Sequence, residues 1–130
     1  MSVAAGLRFA IVVGGAVGAL GRVALVRAFP PGVGVWPWTT FSVNIVGTFA
    51  LGYFATRLGE RLPPSTFRRP LLGTGLCGAL TTFSTLQLEL VRFVREGNVV
   101  LAVGYVTASL VVGLAAVYLA TALTRRVPLR

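Results

Sequence analysis

The chain has 130 residues, of which 55% are apolar and only 12% charged, against about 25% charged in a typical soluble domain. Its mean hydropathy is +0.85, and the stretches 28–56, 70–88 and 97–124 carry no charge, each long enough to cross a hydrocarbon core as a helix. The net charge of +9 is carried by Arg alone; with no His, Asp or Lys, three Glu and one Cys, a Ser-His-Asp triad, a His metal site, a Schiff base and an internal disulfide are excluded.

The pattern describes an all-α membrane protein, a single domain over 1–130 with four spans at about 7–29, 36–58, 71–93 and 99–123. No signal-peptide cleavage pattern follows the first span, so it reads as a mature helix. Gly14, Gly15, Gly18 and Gly21 line that span, and Gly14 with Gly18 has the spacing that lets two helix backbones approach. Packing inside one chain and packing between chains both fit that motif. Pro30-Pro31-Gly32 ends the helix, because proline lacks a donor and restrains the residue before it. Trp36-Pro37-Trp38 opens the second span, pairing a proline suited to a first turn with interfacial aromatics. Within this span Thr40, Asn44 and Thr48 recur every fourth residue, on one stripe. An asparagine in hydrocarbon needs partners, since an unpaired amide costs several kcal/mol.

A polar stretch from Gly59 to Pro70 leads to the third span, where residues 73–85 read Gly-Thr-Gly-Leu-Cys-Gly-Ala-Leu-Thr-Thr-Phe-Ser-Thr. Each glycine costs about 1 kcal/mol of helix propensity relative to alanine, and β-branched threonines add to that. A helix break is expected here, with the freed backbone groups turned to protein, water or an ion. The alternative is a continuous helix whose hydroxyls bond back to the preceding turn. Glu89, the one acid inside a span, lies three residues from Arg92, and an ordinary ion pair near the headgroups is expected for it. The fourth span repeats the four-residue spacing with Tyr105, Ser109 and Gly113, so neutral donors on several helices outline a polar path.

Arg residues flank the spans and do not line one face, which speaks for headgroup anchoring and against a nucleic-acid partner. Eight Arg fall on the side of the termini and the loop near 59–70, and four on the other. The positive-inside rule then favours termini in the cytoplasm. Three functions remain open on these grounds: an ion channel, a small proton-coupled multidrug or cation exporter relying on Glu89, and a non-transporting membrane subunit. None of them is an enzyme.

Three segments carry a resemblance. Gly75-Leu-Cys-Gly78-Ala-Leu-Thr81-Thr82-Phe83-Ser84-Thr85 is similar to the signature of the Fluc (CrcB) fluoride channels. Gly18-Ala-Leu-Gly-Arg22 and Val43-Asn44-Ile-Val-Gly47-Thr-Phe49 resemble two further pieces of that family, in the same order. The resemblance implies a passive, fluoride-selective channel in the cell membrane, built as an antiparallel, dual-topology dimer with two pores. It also implies a structural Na+ at the dimer centre, held by the backbone carbonyls of Gly78 and Thr81 in the broken third helix. The pore asparagine falls on Asn44, and the aromatic box on Phe83 and the position of Leu86, where this chain departs from the family. Ser84, Thr85 and Ser109 would form a polar track with Tyr105 near it, and Arg22 would sit at the aqueous vestibule. A homodimer is the expected assembly, with a paralogous second subunit as the alternative raised by Leu86, Gly113 and the Arg bias.

Overall fold

A computed structural model describes residues 2–61 and 67–127, the side chain of Arg61 excepted. Arg130 and residues 62–66 of the polar stretch, both used in the topology argument, lie outside the described residues. Helix α1 (Val3–Ala28) opens on Ser2, whose hydroxyl accepts the Ala5 N–H at 3.3 Å, and stops before Pro30-Pro31. Helix α2 (Trp38–Thr56) starts directly after Pro37 and runs into a wide-turned extension, Arg57–Arg61. The next helix, α3, comprises Pro70–Cys77, wound in π turns, and the short α-helical stretch Gly78–Leu80. After Thr81 and Thr82 comes α4 (Phe83–Arg95), and then α5 (Val99–Arg126). No strand occurs among the described residues.

The α4–α5 corner is a helix-ending turn set by one glycine. Gly97 adopts φ +80°, a region open to glycine at little steric cost. The Asn98 N–H then bonds the Phe93 carbonyl at 2.8 Å and the Gly97 N–H the Val94 carbonyl at 3.1 Å, satisfying carbonyls the helix leaves orphaned. α4 therefore folds back onto α5, and Leu86, Phe93, Ala102 and Tyr105 bury together beside Trp36 and Phe41.

Glycines decide the other two packings. A Cβ on Gly14 would collide with the Leu71 carbonyl oxygen, one on Gly18 with the Leu76 carbonyl oxygen, and one on Gly75 would come within 2.7 Å of the Ile11 carbonyl oxygen. The glycine stripe of α1 thus seats α3 of the same chain, and the intersubunit use of that motif is not needed. α2 lies along α5 in the same manner, with Gly52 at 3.1 Å from the Val117 carbonyl oxygen for a built Cβ. At the end of that pair Arg125 grips Glu60 with two bonds of 2.9 and 2.7 Å. Both side chains are exposed, so water and salt screen the pair and it adds little to stability.

Among the described residues, three helices are long and apolar enough to cross a membrane: Val3–Ala28, Pro70–Arg95 taken as one unit, and Val99–Arg126. α2 has 19 residues, about 28 Å at the helical rise, and carries no charged side chain. Of the four expected spans, three meet the joint length-and-apolarity condition among the described residues, and α2 is the helix that carries the Thr40, Asn44 and Thr48 stripe. Leu20, Val100, Leu114 and Tyr118 are between 70% and 88% exposed, an outer surface suited to lipid or to another chain.

Gly14→Val, Gly18→Val and Gly75→Val are each expected to cost about 1–3 kcal/mol through overpacking, read as lower thermal midpoints in detergent. Gly15→Ala, where a Cβ meets nothing within 4 Å, should leave the midpoint unchanged or raise it.

Candidate functional site

Between α3 and α4 the backbone leaves helical geometry at two residues. Thr81 has φ −72° and ψ 154°, and Thr82 has φ −145° and ψ 120°. In a continuous helix the Thr82 N–H would bond the Gly78 carbonyl. Here it donates to Asn44 Oδ1 at 2.8 Å, while Asn44 Nδ2 donates to the Thr82 carbonyl at 3.0 Å. One prong meets an N–H and the other a C=O, which fixes the orientation of the amide. One turn on, the Thr48 hydroxyl is satisfied by bonding back to the Asn44 main-chain carbonyl at 2.6 Å. On the α1 side Arg22 Nε donates to the Ala79 carbonyl at 3.1 Å.

Thr82 also caps α4. Its buried hydroxyl accepts the Thr85 N–H at 3.2 Å, donates to Thr85 Oγ1 at 3.0 Å and lies 3.3 Å from Ser84 Oγ. Phe83, the next residue, is 72% exposed. It borders a cavity of about 290 Å³ shared with Asn44, Thr81, Thr82, Leu86 and Ser109. The Ser109 hydroxyl is buried there and has no hydrogen-bond partner among the described residues. On the far side of Thr81, a second cavity of about 430 Å³ is bordered by Gly78, Thr74, Cys77 and Arg69.

Of the expected site residues, Asn44, Phe83, Leu86 and Ser109 meet at one cavity, and Thr81 joins both cavities. Ser84 and Thr85 stand on the first turn of α4, tied to Thr82. Tyr105 is fully buried; its ring packs edge-on at 5.3 Å from Trp36 and 6.1 Å from Phe93.

Glu89 corrects an expectation. Its partner is not Arg92, which pairs instead with Glu96 at 2.9 Å one turn on. The two Glu89 oxygens accept from Thr40 Oγ1 at 2.6 Å and from the Tyr105 hydroxyl at 2.7 Å, so the acid joins α2, α4 and α5. Sequence spacing pointed to the near arginine, but tertiary packing brings two hydroxyls closer to the carboxylate. Thr82 was not singled out from the sequence, although a threonine three residues before Thr85 at a helix start is a cap signal.

Residues 9–121 match the family model described as CrcB-like protein, Camphor Resistance (CrcB). The chain belongs to the CrcB family. Among its relatives, the fluoride-specific ion channel FluC 1 of Mycobacterium bovis is 56% identical over 121 residues, covering 93% of this chain and 92% of the relative. The fluoride-specific ion channel FluC of Idiomarina loihiensis is 40% identical over 113 residues, 86% of this chain and 87% of its own. A FluC 1 of Streptomyces coelicolor is 37% identical over 117 residues, 90% of this chain and 76% of the relative. The CrcB chain is accordingly a multi-pass membrane protein.

Tyr105→Phe and Thr40→Val each remove one hydroxyl from a partly buried carboxylate. Each is expected to cost about 1.5–3 kcal/mol, measured by denaturant or thermal unfolding in detergent, whereas Arg92→Gln should cost less than about 1 kcal/mol.

Proposed function

We propose that this CrcB chain forms a fluoride-specific ion channel that lets fluoride leave the cytoplasm down its electrochemical gradient, with no enzymatic step. The fluoride specificity is the property named for its relatives, and one feature of this chain carries the reading. An interrupted third span borders a cavity where neutral donors meet an exposed phenylalanine ring, with a buried Ser109 hydroxyl still lacking a partner.

Fluoride is small and strongly hydrated, so a narrow pore passes it only if the wall replaces its water. Hydroxyl and amide N–H groups can donate to an anion, and the edge of a phenyl ring carries positive quadrupole density. Uncharged donors hold the ion weakly enough to let it go, as conduction requires. Asn44, Phe83 and Ser109 supply these groups at the cavity, with Ser84 and Thr85 beside it and Arg22 at the other face of the interruption. Leu86 puts an aliphatic side chain where the family has a second aromatic ring, so the ring-edge contribution here falls to Phe83. An exporter driven by protons would need Glu89 open to substrate, but both of its oxygens are engaged by hydroxyls.

The third span is read as a broken helix, supported by the extended backbone at Thr81 and Thr82. A second, inverted copy of the chain completes the pores; a homodimer is the simplest such assembly. The residues fit a structural Na+ between the copies. Gly78 and Thr81 border one open cavity, a Cβ on Gly78 would meet nothing nearer than 4.0 Å, and the Thr82 N–H does not return to the Gly78 carbonyl. Carbonyls are the donors a hard cation takes, and one chain offers too few, which makes the site a shared one. When bound, the ion supplies a fixed positive charge at the centre of the assembly.

Vesicles reconstituted with the purified chain alone are expected to release fluoride and retain chloride. Release of both halides alike contradicts the proposed selectivity, and release only after a second CrcB chain is added replaces the homodimer by a heterodimer.

A further inference from the structure

The geometry points to Asn44 as the positioning residue of the interruption: its amide oxygen stands in for the helical acceptor of the Thr82 N–H and so releases the Gly78 carbonyl. This rests on the reading that the interruption borders the conduction path. The argument begins with backbone accounting. At bilayer depth every N–H and C=O needs a partner inside the protein, because lipid offers none. Extending Thr81 and Thr82 takes the Thr82 N–H away from Gly78, so that N–H must find an acceptor elsewhere, while the Thr82 carbonyl, at the N-cap of α4, already accepts the first bond of that helix. Asn44 Oδ1 supplies the acceptor at 2.8 Å, and Asn44 Nδ2 adds a second donor to the carbonyl at 3.0 Å. Only asparagine and glutamine set a carbonyl acceptor beside an NH2 donor on one planar side-chain amide.

Two features show that Asn44 is built to hold rather than to swing. Gly47, one residue short of a helical turn away, lets Thr81 come so close that a Cβ there would collide with the Thr81 methyl group. Thr82 is buried, and its hydroxyl caps α4 through Thr85. Phe83 follows Thr82 directly, so the bond pair at Thr82 sets where the ring begins. A residue acting only as an ion ligand would not need both ends of its amide tied to backbone. One Nδ2 hydrogen goes to the Thr82 carbonyl; the second remains for the cavity that Asn44 borders.

The test reads backbone conformation and flux separately. Protein carrying 13C-threonine and 15N-asparagine is reconstituted in bilayers for solid-state NMR. In the unmodified chain, Thr81 and Thr82 should show the Cα and Cβ shifts of extended backbone, and the Asn44 side-chain nitrogen should couple to the Thr82 carbonyl carbon. Absence of that coupling overturns the inference without recourse to any variant. Asn44→Leu, close in shape and at ease in lipid, should move the Thr81 and Thr82 shifts away from extended values and abolish fluoride efflux. Ser109→Ala should reduce efflux while leaving those shifts in place, which separates a lining residue from a positioning one. Efflux lost in Asn44→Leu with unchanged threonine shifts shows Asn44 to be a ligand alone and overturns the inference, although the channel reading survives. Shifts that move in Asn44→Leu, in a chain whose unmodified form releases no fluoride, sustain the inference and remove the channel reading.

Discussion

A membrane interior gives unpaired backbone groups nowhere to go, and the interruption at Thr81–Thr82 turns on how that demand is met. Leaving one buried amide or carbonyl unpaired costs on the order of 1–3 kcal/mol even inside a protein. The chain answers with side chains from two different helices. Asn44 of α2 takes both backbone groups of Thr82, and Arg22 of α1 takes the Ala79 carbonyl. These contacts require α1, α2 and α3 to lie close together. The glycines at 14, 18 and 75 allow that for α1 and α3, and Gly47 allows it for α2. The close packing and the irregular backbone are therefore one arrangement: small residues bring helices near enough for polar side chains to reach main chain.

The rest of the polar inventory is used in a similar way. Glu89 would be costly in lipid, and two hydroxyls from separate helices surround it. Tyr105 serves twice, donating to Glu89 while its ring fills the core between Trp36 and Phe93. After these pairings, Ser109 stands out with a buried hydroxyl that nothing in the described chain satisfies. A donor left over beside Asn44 and Phe83 is what a site for a passing anion requires, since a donor already paired has little to offer.

Much of this could be read from residue order. Two charge-free stretches, 70–88 and 97–124, overlap helices long and apolar enough to cross a membrane, and the four-residue recurrence of Thr40, Asn44 and Thr48 put them on one face of α2. The glycine- and threonine-dense stretch 73–85 contains Thr81 and Thr82, whose backbone is extended. What recurrence cannot tell is what a face meets. The stripe on α2 turned out to serve two different elements, with Thr40 on Glu89 and Asn44 on Thr82, because α4 begins anew after the extended pair and presents both. The Glu89–Arg92 expectation failed for the same reason: spacing along one helix says nothing of hydroxyls arriving from α2 and α5. The π winding of Pro70–Cys77 has no period in the residues that would announce it; it accompanies the close seat of α3 on the glycines of α1.

The account centres on fluoride passing alone through a pore made of neutral donors and a ring edge. The most direct measurement is the reversal potential of a planar bilayer holding the purified chain, with a fluoride gradient across it and equal chloride on both sides. The account predicts that current reverses at the fluoride equilibrium potential and that this value does not move when chloride on one side is raised. A reversal potential that follows chloride, or stays at zero despite the fluoride gradient, contradicts it.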